Sequence, residues 1–144
     1  MGCLCLCDQV AGSEFWTFSE FCRRYLEIVF AKELFEEIPG ERTEDGWREP
    51  PRLVRWTPQG WWRYVESRPL VVIDEVGLRD PTPTAMDTLW EILERRVGRP
   101  LILTSNVPPT SGGLGAIYDA RIVSRIVEAG TVYEVRGASL RGKV

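Results

Sequence analysis

Asp74 and Glu75 stand side by side at the end of an unbroken apolar run, "LVVIDEVG" (70–77). Burying two adjacent acids unpaired is costly, so the run has either reached solvent or ends where a cation is held. An aspartate at a strand end can hold a hydrated Mg²⁺, and the next glutamate can orient and polarise a water. A second apolar run, "LILTSN" (101–106), also ends in polar residues. Its Asn106 can hydrogen-bond that water or a terminal phosphate. In open α/β sheets ligands bind beyond the carboxyl ends of the strands. These are the parts of a nucleoside-triphosphate hydrolase, because phosphoryl transfer depends mostly on positioning and charge neutralisation.

Plainer readings of the same residues stay open. Asp74-Glu75 also suits a solvated strand end, and Asn106 suits a turn before Pro108-Pro109. The chain has no histidine, so carboxylates, cysteines, lysines and arginines must carry any chemistry. Its net charge of −3 gives no global case for nucleic acid. A local case lies in "RLVRWTPQGWWRYVESR" (52–68), which interleaves Arg52, Arg55, Arg63 and Arg68 with Trp56, Trp61, Trp62 and Tyr64. Single-strand binders pair cations with aromatic stacking platforms in this way. Trp61, Trp62 and Val65 also share one arc of a short helix, as packing demands. Trp56, ahead of that helix, is the residue better placed to meet a base, and contact with a partner protein is a third reading.

Cys3, Cys5 and Cys7 cluster near the start, and Cys22 stands apart. Soft metals take thiolates, but no second cysteine pair follows at zinc-like spacing. Reduced cysteines acting as small hydrophobes fit a cytoplasmic protein. The start lacks the basic leader of a secretory signal, and no apolar run approaches a membrane span.

The elements that must position these residues alternate between strand and helix. "EFWT" (14–17) is a strand candidate. Thr17 and Glu20 form a capping box, opening a helix predicted to run through residue 37 with Phe21, Tyr25 and Val29 on one face. Residues 38–55, rich in proline, glycine and charge, read as a long exposed loop. Thr57 and Pro58 start a short helix. Leu70–Asp74 has the all-apolar character of a strand buried on both faces. Thr82 and Pro83 open the next helix, with Met86, Leu89, Leu93 and Val97 on one face and Gly98 and Pro100 closing it. After "LILTSN" come a glycine-rich loop, a helix over 116–130 and a last strand, "TVYEV" (131–135). The alternation predicts an α/β fold, with Leu70–Asp74 and Leu101–Thr104 adjacent and parallel.

"LVVIDEVG" resembles a Walker B strand, and "LILTSN" resembles the sensor-1 strand of AAA+ ATPases. "YDARIVSRIVEAGTVYEVRGASLR" (118–141) is similar to the closing segment of the DnaC/IstB group of helicase loaders and transposition-helper ATPases. The resemblance runs from about residue 68 to 142 and more loosely over 12–67. It implies a P-loop NTPase core that uses ATP and Mg²⁺, with Asp74 on the metal and Glu75 and Asn106 at the attacking water. Arg125 falls at the arginine finger, where a plain ion-paired helix residue is the other reading. Arg141 falls at a second phosphate-sensing position. It further implies AAA+-type self-association and a replicative helicase or recombinase as partner; single-stranded DNA as a partner rests on the 52–68 stretch. The G-x-x-x-x-G-K-[ST] cradle is missing from these 144 residues. "GASLRGKV" (137–144) places Val144 where the hydroxyl belongs, and Lys32 and Lys143 are the only lysines. The expectation is a single partial AAA+ domain, truncated ahead of its first strand, with "CLCLCDQVA" (3–11) as the tail of the helix after the P-loop. The first strand would lie between the 101–104 strand and the last one, leaving a gap there or a bridge by residues 2–7. A non-hydrolysing interaction module is the other function class.

Overall fold

The computed structural model describes residues 10–31, 34–40, 42–78 and 80–137. Strand β1 (Glu14–Thr17) leads into helix α1 (Phe18–Phe30), and the hairpin strands β2 (Leu34–Ile38) and β3 (Arg52–Trp56) follow. Then come α2 (Pro58–Ser67), β4 (Val71–Asp74), α3 (Pro83–Arg95) and β5 (Leu101–Leu103), with α4 (Leu114–Ile117) and α5 (Ala120–Ala129) last. The main sheet has the order β1-β4-β5. Both pairings are parallel, Glu14 opposite Val71 and Val71 opposite Leu101. The adjacent, parallel arrangement expected from the two apolar runs is therefore present. Central β4 buries Val71, Val72 and Ile73 almost completely, which is why its sequence does not alternate.

The helix starts follow their local chemistry. Thr17 accepts from the Glu20 N–H at 3.2 Å while the Glu20 carboxylate returns to the Thr17 N–H, closing the capping box. Thr57 caps α2 at Gly60 and Thr82 caps α3 at Ala85, each with proline in the first turn. The buried face of α1 is Phe18, Phe21 and Ile28 rather than the predicted stripe, and Val29 is exposed. On α3, Leu89, Ile92 and Leu93 are buried, whereas Val97 lies past the helix end in solvent. Phe21 meets Trp61 and Trp62 at centroid distances of 5.3 and 5.8 Å, and Trp16 meets Trp61 edge-on. That aromatic cluster locks α1 and α2 together.

Four expectations change. Helix α1 stops at Phe30, and residues 34–38 form β2, antiparallel to β3 with Leu34 opposite Trp56. The helical preference of "ELFEE" yields to a cross-strand partner, since propensity is a weak prior against tertiary pairing. The stretch read as loop over 38–55 accordingly has strand at both ends, and Gly46 (φ 83°) turns the connection between them. The helix predicted over 116–130 is two helices, because the Asp119 carboxylate accepts from the Arg121 N–H at 2.7 Å and starts a new one. "TVYEV" forms no strand and pairs with no described strand, leaving Tyr133 and Val135 at 82% and 95% exposure. Among the described residues no strand lies on the far side of β5; residues 2–7, the expected bridge, lie outside them. No helix among the described residues is long and apolar enough to cross a membrane.

Candidate functional site

Asp74 is the last residue of β4, and the chain turns sharply after it. Glu75 has φ 61°, a left-handed conformation uncommon for a non-glycine residue. Gly77 follows at φ 87°, where an added Cβ would stand 2.7 Å from Leu114 Cδ2. Residues continuing β5 hold this turn from the side. The Thr104 hydroxyl donates to Asp74 Oδ1 and accepts from the Glu75 N–H at 3.3 Å. The Val76 N–H donates to the Thr104 carbonyl at 2.9 Å, and Ser105 Oγ donates to the Val76 carbonyl at 2.5 Å. The Gly77 N–H donates to the Tyr118 hydroxyl at 3.1 Å. Burial pushes that phenol up from its ordinary pKa, with the Gly77 hydrogen bond opposing.

Glu75 opens onto a cleft of 530 Å³ between α1 and the start of α3, walled by Phe18, Leu26, Phe30, Leu78 and Tyr118. Asp74 does not line it. Asn106 is exposed, two residues beyond Thr104. The turn thus brings Asp74, Glu75 and Thr104 together at the carboxyl edge of the sheet, with Asn106 close by in sequence. Thr104 was visible as a polar strand end; the contribution of Tyr118, more than forty residues from Gly77, was not.

Arg125 is placed elsewhere. Its Nη2 donates to Glu94 Oε1 at 2.5 Å, and its Nε is buried without a partner. Glu94 lies eleven residues along α3 from Pro83, roughly 16 Å at helical rise. The pair therefore sits toward the end of α3 remote from the turn after β4. Arg141, Cys3, Cys5, Cys7, Lys32 and Lys143 lie outside the described residues. Among the described residues no three His, Cys, Asp or Glu side chains converge as a metal cage.

The aromatic–arginine stretch folds inward. Trp56 is buried; its Nε1 donates to Glu36 Oε2 at 2.8 Å, and its ring meets Trp61 and Tyr64 edge-on. It has no free face for a base, which corrects the expectation that it serves as a stacking platform. The burial follows from β3, which pairs with β2 and carries Trp56 into the cluster. Arg68 stands over Tyr64 at 4.4 Å. Arg52, Arg55 and Arg63 are exposed.

No family model matches the chain, and no curated protein sequence matches it. Among solved structures it is similar to one titled as the crystal structure of the DnaC helicase loader, with TM-score 0.54 and 14% identity. The likeness covers 83% of this chain and 58% of that one. It shows a fold: the parallel three-stranded sheet with its helices matches the DnaC P-loop NTPase-like architecture.

Proposed function

We propose that this chain is the metal- and water-positioning part of a DnaC/IstB-type AAA+ ATPase that serves replication initiation or transposition. The observation that carries the reading is the turn after β4, where Asp74 and Glu75 leave the central parallel strand and Thr104 holds both. Mg²⁺ keeps several waters and needs only one or two carboxylates beside substrate phosphates, so Asp74 and Glu75 fit it without a fuller cage. MgATP would supply the electrophilic phosphorus and the charge-neutralising ion. Asp74 would hold the hydrated metal, with its second oxygen left by Thr104. Glu75 and Asn106 would orient a water, and the apolar walls beside Glu75 would limit solvent around it. Arg125 would act on a neighbouring copy's nucleotide, and Arg141 would sense phosphate in its own site. The partner in this reading is a replicative helicase or a recombinase, with single-stranded DNA nearby.

The residues present do not fit the triphosphate as they fit the metal. P-loop enzymes cradle phosphates with backbone N–H groups at a helix N-terminus and one lysine. The described residues contain no lysine, and the sequence has no complete P-loop motif. That observation favours a second reading, a non-hydrolysing AAA+-like interaction module. Calorimetric titration with MgATP separates the two. Weak, Mg²⁺-dependent binding that disappears in Asp74→Asn supports the first. No binding, or binding indifferent to Asp74, supports the second.

A further inference from the structure

We infer that Tyr118 is a positioning residue that couples helix α5 to the acidic turn, so that a pull on α5 changes where Glu75 points. Only the roles of Glu75 and Arg125 rest on the reading above; the contacts that join them do not depend on it. Glu75, at φ 61°, occupies a backbone region that costs a non-glycine residue free energy and persists only where its surroundings hold it. The ordinary right-handed region is a discrete alternative, and it would aim the carboxylate elsewhere. Two neighbours decide between these states. Thr104 holds the N–H groups of Glu75 and Val76 from the β5 side. The Tyr118 hydroxyl holds the next one, the Gly77 N–H, at 3.1 Å.

Tyr118 is itself fixed by the chain that leads into α5. It caps the end of α4, where its N–H donates to the Leu114 carbonyl at 2.8 Å. Leu114 also presses on the turn, which is why a Cβ at Gly77 would come within 2.7 Å of its Cδ2. Both residues are buried, and the Tyr118 ring meets Phe18, the first residue of α1, edge-on at 6.2 Å. Asp119 follows at once and caps α5 through the Arg121 N–H. A single residue therefore separates the side chain that grips the turn from the helix that carries Arg125. Arg125 ties the same helix to α3 through Glu94. A neighbouring copy that engages Arg125 pulls on a helix whose start is locked to the Gly77 N–H. Assembly thereby regulates the acidic pair: α5 in place keeps Glu75 left-handed, and α5 displaced releases it.

The test reads the turn by NMR, in the full chain and without nucleotide. Tyr118→Phe keeps the ring and its packing and removes only the hydroxyl. Exchange of the Gly77 amide should then speed up roughly three- to tenfold. The three-bond couplings that report φ at Glu75 should leave their left-handed values, while the circular dichroism stays unchanged. Arg125→Ala frees α5 from α3 and should speed Gly77 exchange by about twofold in the wild-type background. In Tyr118→Phe it should add nothing, since the hydroxyl that carries the effect is gone. Glu75 couplings unchanged in Tyr118→Phe overturn the inference, because the phenol would then only pack. An Arg125→Ala effect of equal size in both backgrounds, or of none in either, also overturns it. So does loss of ordered structure in Tyr118→Phe, which would make the hydroxyl a requirement of the fold rather than of the turn. Failure to bind MgATP bears on the proposed function alone and leaves these outcomes as they are.

Discussion

Thr104 holds Asp74 and Glu75 with a single hydroxyl, donating to the carboxylate of one and accepting from the backbone N–H of the other. The side chain is a β5 continuation, so the geometry of the acidic pair is set by the strand beside it. Thr104→Val removes the hydroxyl at constant shape and leaves the Glu75 N–H and one Asp74 oxygen without that partner. The expected loss is about 1–2 kcal/mol, read as a fall of roughly 3–8 °C in Tm. Thr104→Ser should restore most of it. An unchanged Tm in Thr104→Val would mean that water replaces the hydroxyl freely.

The acidic turn was legible in the sequence because its determinants are local. Val71, Val72 and Ile73 name a strand buried on both faces, and Thr82 with Pro83 name the helix that returns. The hairpin was not legible: β2 depends on β3 across fourteen or more residues, and nothing within Leu34–Ile38 announces that partner. Arg125 was visible as a helix arginine, but its attachment to Glu94 on α3 is a product of packing.

That attachment gives a second prediction. Arg125 and Glu94 are each about a third exposed, so solvent screening holds their pair to the modest range of surface ion pairs. A double-mutant cycle with Arg125→Ala and Glu94→Ala should give a coupling of about 0.5 kcal/mol in urea unfolding. Coupling indistinguishable from zero would mean that the Arg125–Glu94 pair adds nothing to the stability of the fold.

Trp56→Ala should act on stability before it acts on any ligand. The indole is buried against Trp61 and Tyr64 and bonded to Glu36. Removing a buried aromatic typically costs about 3–5 kcal/mol. If single-stranded DNA binds here, the exposed Arg52 and Arg63 carry the contact. Replacing each with alanine should then lower the salt slope of binding by about one per phosphate. A slope unchanged in both variants would remove these arginines from any nucleic-acid contact.

Cys22 gives a pH signature. Burial pushes its thiol up to about 11 from 9.0, with a Thr88 hydrogen bond opposing the shift. A folded pKa above the unfolded one means that this stabilising contribution is complete below pH 9 and lost as pH rises toward 11. The difference in stability between wild type and Cys22→Ala should therefore shrink across that window. A constant difference from neutral pH to pH 11 would place the thiol in a more solvated setting.

Arg96 joins three elements through one side chain. It caps α3, is 2% exposed, and pairs with no acidic side chain among the described residues. Its Nη1 donates to the carbonyls of Val65, Glu66 and Arg68 at 3.1, 3.3 and 2.8 Å, and Nη2 donates to that of Pro100. Val65 and Glu66 belong to the last turn of α2, whose carbonyls favour a cation. Arg68 and Pro100 precede β4 and β5, and the Pro100 carbonyl also accepts from the Val71 N–H. One guanidinium therefore ties a helix end to the starts of both apolar strands. The carbonyl dipoles offset the burial of its charge, while that burial, with Arg99 nearby, holds its pKa below the ordinary arginine value. Arg96→Met fills similar space; the Val65, Glu66 and Pro100 carbonyls keep the Arg68 N–H, Arg99 Nη1 and the Val71 N–H as donors, while the Arg68 carbonyl loses the guanidinium that serves it. The expected cost is about 1–3 kcal/mol in urea unfolding. Arg96→Lys should recover only part of this, because an ammonium cannot span the four carbonyls as the planar fork does. An Arg96→Met protein within about 1 kcal/mol of wild type would show that water satisfies these carbonyls, and that the strand starts hold their register without the arginine.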